Sequence, residues 1–195
     1  MRPNLSNAGA RAKPWLASAG FQARRLGGDA RATTAVEFAI VAPLVIALIL
    51  GAMQIAVIYL AQAELENAAE QAARVVLTNQ APASGSAGQA SFQNTVCGYL
   101  PALFTCSGVM VDLQAQSISP ASSDALVLTP PTLTYGSSGQ VTNSWNYAPG
   151  SPGKLMILRV MYQWPVVAGP LGLVFSDLAN GKLFLSSTQV FQTEQ

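Results

Sequence analysis

The sequence predicts an α+β protein, with one long N-terminal helix packed on a small, mostly antiparallel β-sheet. The helix is transmembrane in its first half and amphipathic in its second. Three observations predict this. An uncharged run of 26 residues, Phe38–Ala63, leads into an alanine-rich segment whose apolar residues recur at helical spacing. The C-terminal half holds stretches of branched and aromatic residues bounded by Gly, Pro and Asn. Charged residues make up only 10% of the 195 and hydrophobic residues 50%, with a mean hydropathy of +0.33. That balance excludes a disordered chain, and it lacks the charged surface of an ordinary cytosolic enzyme.

The uncharged run exceeds the roughly 20 apolar residues that a helix needs to cross a bilayer, and the roughly 7–15 of a signal-peptide core. Pro43 lies near its start, where it costs little if the helix begins just upstream and adds a modest kink if it begins earlier. Residues 1–36 carry six basic groups, Arg2, Arg11, Lys13, Arg24, Arg25 and Arg31, against one acid, Asp29. Residues 37–195 carry four basic and eight acidic groups. By the positive-inside rule the N-terminus stays in the cytoplasm, and everything after about Ala63 lies outside the inner membrane.

The helix is expected to continue past the membrane. Residues 61–79 are strong helix formers, and Leu65, Ala68, Ala69, Ala72, Val75 and Val76 form an apolar stripe. Glu70 and Arg74 stand in the favourable i,i+4 order. Run and stalk together make a helix of about 44 residues, roughly 65 Å long. The stripe either packs on the chain's own globular domain or also meets neighbouring helices in an assembly.

Pro82, Ser84, Gly85, Ser86 and Gly88 break the helix. Beyond them Val109–Ile118 reads as a strand with Val111, Leu113 and Ala115 on one face. Leu155–Val167 gives a strong strand signal, and Lys182–Gln192 another, with Leu183, Leu185 and Ser187 opposite Phe184, Ser186 and Thr188. Residues 119–153 read as loops with one short strand near Ala125–Leu128. Leu155–Phe175 is hydrophobic enough to be mistaken for a second span, but Arg159, Pro165, Gly169, Pro170 and Gly172 favour a buried strand and a turn.

Cys97 and Cys106 are the only cysteines. In an exported domain such a pair favours a disulfide, the alternative being two free buried thiols. Two sulfurs without any histidine fall short of a tetrahedral zinc site. Catalytic patterns are missing. Ser151-Pro-Gly-Lys154 matches S-x-x-K in letters, but Pro152 and Gly153 dictate a turn. Gly136-Ser-Ser-Gly139 lacks the Lys-Ser/Thr and the helix of a phosphate loop. The acids are scattered, and the absence of histidine removes the commonest general base. The basic leader flanks a span, which explains it as a topogenic, membrane-surface signal rather than a nucleic-acid site. The expectation is a non-enzyme with no cofactor, no metal and no small-molecule substrate.

A single glutamate, Glu37, opens the apolar run, joined to the basic leader by Ala32, Thr33, Thr34 and Ala35. The stretch Ala35–Pro43, A-V-E-F-A-I-V-A-P, resembles the TadE-like family of pseudopilins of the tight-adherence (Tad, or Flp-type) pilus system. The Ala-Ala-Arg at Ala72–Arg74 continues the likeness, and the strand-rich end with Glu194 adds to it weakly. The resemblance implies cleavage on the cytoplasmic side by a prepilin peptidase that leaves the glutamate as the fifth mature residue. Here that places the cut between Ala32 and Thr33. The family usually has glycine before the cut. Gly28 is the nearest one, and cutting there would leave Glu37 ninth. Glu37 would then act in assembly, as a registry device paired with the new amine of a neighbouring subunit.

The expected organisation is a basic cytoplasmic leader (1–32), a transmembrane helix (33–63), a helical stalk (64–80) and an exported, β-rich, pseudopilin-like domain (81–195). The implied function is a minor pilin or assembly factor held in the inner membrane, with prepilin peptidase and other pilin and pseudopilin subunits as partners. The alternatives are an exported soluble or surface protein and an uncleaved single-pass anchor. For the first of these, Ala61-Gln-Ala63 fits the small-x-small rule of signal peptidase and would release a chain starting at Glu64.

Overall fold

A computed structural model of the chain describes residues 30–116, 131–167, 169, 172 and 174–194. Two compact units divide it between Leu48 and Ile49, within the first helix. The order of elements is α1 (Ala30–Leu77), α2 (Ser86–Tyr99), a short 3-10 turn (Cys106–Gly108), β1 (Val109–Gln116), β2 (Leu155–Pro165) and β3 (Lys182–Gln192). This is the α+β arrangement expected, a long N-terminal helix and a three-stranded antiparallel sheet in the order β1-β2-β3.

The membrane run and the stalk form one helix of 48 residues. Because α1 begins at Ala30, Pro43 is interior to it, and the Ala39 carbonyl has no N–H to receive from position 43. The helix stops at Asn79, which takes the left-handed conformation at φ 56°. Gln80 N–H then reaches the Val75 carbonyl at 2.9 Å and Asn79 N–H the Val76 carbonyl at 3.1 Å, the paired bonds of a Schellman motif. The C-terminal tail docks on this end, with Glu194 N–H donating to the Leu77 carbonyl at 3.2 Å.

In the second unit the stalk stripe packs on the chain's own domain. Leu65, Ala68, Ala69, Ala72 and Val76 are buried, and Val75 is half-buried. Ala61, Leu65, Ala69, Ala72 and Val76 share one core with Phe92 and Val96 of α2 and with Val111, Leu113, Met156, Leu158, Val160 and Leu185 of the sheet. The helix contributes mostly small alanines to this core, and the strands contribute its larger side chains.

β2 is central, which explains its almost continuous apolar sequence. Its alternate residues Ile157, Arg159 and Met161 are buried on the other face. β3 spans the residues expected of it, and β1 and β2 run Val109–Gln116 and Leu155–Pro165, inside the stretches read as strands. The short strand expected near Ala125–Leu128 lies outside the described residues.

α2 was not expected. Ser86-Ala-Gly-Gln-Ala-Ser-Phe-Gln-Asn-Thr-Val-Cys-Gly-Tyr has weak helix propensity, and Gly85 at its N-cap gives no side-chain hydrogen bond. Tertiary contacts supply what propensity lacks. Phe92, Val96 and Cys97, at i, i+4 and i+5, are buried, and Phe92 packs on the Tyr147 ring at 5.5 Å. Gln93 hydrogen-bonds the Val109 carbonyl, and Gln89 the Trp145 carbonyl at 3.2 Å. Gly88, read as a breaker, is needed because a Cβ there would overlap the Ala83 carbonyl.

Candidate functional site

The apolar N-terminal helix is the first feature the sequence marks. Thr33–Leu77 contains a stretch long and apolar enough to cross a membrane, with a mean hydropathy of 2.5 over its best window. Its large side chains are exposed rather than packed. In the first unit Phe38 is 73% exposed, and in the second Tyr59 is 72% exposed. Val36, Ile40, Leu44, Leu48, Met53 and Leu60 are exposed as well. A soluble protein's core helix buries such residues, whereas this exposed surface is compatible with an apolar surrounding.

Ala32 and Thr33 fall within the first turn of α1, and Thr33 is exposed. Glu37 is exposed one turn further on, beside Val36 and Phe38. Among the described residues two ion pairs form, Glu70–Arg74 and Asp112–Arg159, and neither involves Glu37. The first, at 2.8 Å, lies on the exposed face of the stalk and contributes about 0.3–0.5 kcal/mol.

Cys97 and Cys106 are joined in a disulfide with their Cα atoms 5.4 Å apart. It ties the end of α2 to the 3-10 turn that leads into β1. Phe104, inside the loop it closes, packs edge-on to Tyr162 at 4.9 Å and to Trp164 at 5.3 Å.

Asp112 and Arg159 went unpaired in the reading of the sequence. They stand directly opposite each other on β1 and β2, with Arg159 Nη1 3.0 Å from Asp112 Oδ2 and both side chains buried. Gln114 Nε2 donates to the same carboxylate at 2.9 Å, and Asn146 N–H donates to Oδ1 at 3.0 Å. The legible signal was one lone charge of each sign in two apolar strands. Gln54 and Gln62 were also passed over. Gln54 Nε2 donates to the Val167 carbonyl at 2.8 Å, and Gln62 Nε2 to the Ser186 carbonyl at 3.1 Å. Both are uncharged amides within the apolar run.

Ser151–Lys154 is a turn closed by Lys154 N–H on the Ser151 carbonyl at 3.2 Å, with Gly153 at φ 78°. Gly136–Gly139 is likewise a turn, closed at 2.9 Å. A shallow groove of about 300 Å³ at the end of α1 is lined by Gln71, Arg74, Thr78 and Tyr99. Its cation, Arg74, is the one already paired with Glu70. Among the described residues no three His, Cys, Asp or Glu side chains gather as a metal site.

The region that carries the exposed apolar helix, Glu37 and the stalk stripe also matches a known family. Residues 32–74 match the family model described as TadE-like protein. The match bears out the resemblance carried by Ala35–Pro43 and Ala72–Arg74. It begins one residue before Thr33 and ends at Arg74, so β1, β2, β3 and the disulfide lie beyond the TadE-like segment. No curated protein and no solved structure matches the chain.

Proposed function

We propose that this chain is a minor pilin (pseudopilin) or assembly factor of a Tad-type pilus. It is held in the bacterial inner membrane by α1, with residues 1–32 in the cytoplasm and the sheet domain outside. Its work is packing against other pilin and pseudopilin subunits rather than catalysis. The observation that carries the reading is the coincidence of the TadE-like match with a helix whose large apolar side chains are exposed. In the membrane that surface is solvated by lipid, and in an assembly by the equivalent helices of neighbours.

In this reading prepilin peptidase cuts between Ala32 and Thr33, and Glu37 becomes the fifth residue of the mature chain. The new α-amino group carries a positive charge near neutral pH, its unperturbed pKa being about 7.7–8.0. In a helical bundle the amine of one subunit meets the Glu37 carboxylate of the next. Each charge is expensive alone in an apolar core and tolerable when paired, so the pair sets the register of assembly.

Release by signal peptidase after Ala63 would remove Ala61 from the core and Gln62 from Ser186. N-terminal sequencing of protein from membrane and medium fractions tests the proposal. Thr33 is the expected first residue. Glu64 in the medium, or Met1 in the membrane, would overturn processing by prepilin peptidase.

A further inference from the structure

The β2–β3 connection is unusual for a loop. From Val166 to Phe175 the sequence V-V-A-G-P-L-G-L-V-F has no charged, hydroxyl or amide side chain. Loops that face water are rich in polar turn residues. Val166 packs partly against the core, but Val167 is 77% exposed and Val174 66% exposed. The next charge, Asp177, accepts a hydrogen bond from Phe184 N–H at 2.9 Å, at the start of β3.

The position of this loop along α1 gives it meaning. Gln54 Nε2 donates to the Val167 carbonyl at 2.8 Å. The first charge after the apolar run is Glu64, ten residues on, or about 15 Å along the helix axis. Ile58 is the first large α1 side chain packed against the domain core, and Gln54 lies a further turn, about 6 Å, towards the N-terminus. Around Gln54 the helix surface is Met53, Ile55 and Val57, all exposed. Val167 is therefore held beside helix whose large side chains are exposed, with only the small Gly51 buried nearby, and which has no charge to meet water.

We infer that Val167 and Val174, in the β2–β3 connection, enter the outer leaflet of the bilayer beside α1 as lipid-facing anchors. The inference rests on the reading of α1 as a membrane span. A depth of one to two helical turns below the domain matches the roughly 5–10 Å by which interfacial segments enter a membrane. Non-helical backbone at that depth must have its carbonyls satisfied by protein. Gln54 does this for Val167, which accounts for an amide in the middle of an apolar run. The same insertion explains why residues 155–175 are hydrophobic enough to resemble a second span. Their first half is a strand buried in protein, and Val167 and Val174 in their second half face lipid. Within the second unit Met53, Ile55, Val57 and Val167 are all exposed, so one bilayer surface can cover them together.

The test uses the full chain reconstituted in phosphatidylcholine/phosphatidylglycerol vesicles. Cys97 and Cys106 are bridged, so a single added thiol takes a polarity-sensitive fluorophore. Three labelled variants are compared, Val45→Cys in the apolar helix, Val174→Cys in the loop and Ser137→Cys on the exposed Gly136–Gly139 turn. Val174 and Val45 should both show blue-shifted emission and lose fluorescence to nitroxide-bearing lipids, and Ser137 should do neither. If Val45 is quenched but Val174 behaves like Ser137, the loop insertion is wrong and the span stands. If neither is quenched, the span and the insertion both fall. If Val174 is shielded from aqueous iodide without being quenched by the lipid nitroxides, a protein neighbour covers the loop, and the lipid assignment is overturned.

Discussion

In the proposed function Glu37 separates insertion from assembly. Its carboxylate lies beside Val36 and Phe38 on an exposed apolar surface. An acid at the centre of a span costs about 2.5–3.5 kcal/mol on insertion scales and less near the interface. Glu37→Ala should therefore insert as well as the parent chain or better, and still fail to support piliation. Glu37→Asp should be intermediate, because its shorter arm reaches less well toward a neighbour's amine. Normal adherence by the alanine variant in a clean deletion strain would leave Glu37 an interfacial bystander. At Asp112 the stakes are thermodynamic. Asp112→Ala strips Arg159 of a carboxylate at a buried site, a loss of about 3–5 kcal/mol. The double change Asp112→Leu with Arg159→Met should recover most of it, because it removes both charges. Thermal melts of the detergent-solubilised chain read the difference. Tyr147 adds a pH dependence. Burial pushes its phenol above the ordinary value of 10.0, and its O–H donates to the Pro82 carbonyl at 2.8 Å. The folded protein thus keeps a proton that the unfolded chain releases. The resulting stability is complete below about pH 10 and is lost as pH rises through the folded pKa. Tyr147→Phe should cost about 1 kcal/mol at neutral pH and flatten this alkaline decline in unfolding titrations.

At the scale of elements, periodicity made α1 and the three strands legible and concealed α2. The stalk stripe repeats every three to four residues over about three turns, and β3 alternates along its length, so each declares its buried face. α2 has only Phe92, Val96 and Cys97 to show, among serines, glycines and amides whose local preferences favour turns. Its helix is a product of tertiary contact, and no window of its own sequence contains that information. The disulfide was legible from the pairing of two cysteines and the expectation of export, whereas the Asp112–Arg159 pair required the register of β1 on β2. α2 should accordingly depend on the disulfide more than α1 does. The bond closes a short loop and contributes about 2.5–3 kcal/mol in the chain-entropy picture. Cys97→Ser with Cys106→Ser should lower Tm by roughly 10 °C. Amide exchange should rise first in Ser86–Tyr99, while α1 residues 61–76 stay protected. Uniform exchange across both helices would mean that α2 is held by its packing alone.

For the molecule as a whole, charge asymmetry and the apolar helix make one joint claim about orientation. Residues 1–36 have a net charge of +5, and residues 37–195 one of −4. Basic residues within about 15–20 positions of a span resist translocation most strongly, and Arg24, Arg25 and Arg31 lie in that window. On the other flank Glu64, Glu66 and Glu70 precede Arg74, so the first charges after the run are acidic. A periplasm-dependent reporter fused after Gln195 should therefore be active, and a cytoplasm-dependent one inactive. Replacing Arg24, Arg25 and Arg31 by glutamine should erode this preference and yield a mixed population, since Arg2, Arg11 and Lys13 lie farther from the run. The fusion also separates retention from release. A pilin precursor keeps the active reporter in the membrane fraction, whereas a chain cut after Ala63 sheds it into the periplasm or medium. An active cytoplasmic fusion with a silent periplasmic one would invert the topology. It would place Cys97 and Cys106 in a reducing compartment, remove prepilin peptidase from reach of Ala32 and end the pilin reading with the span orientation on which it depends.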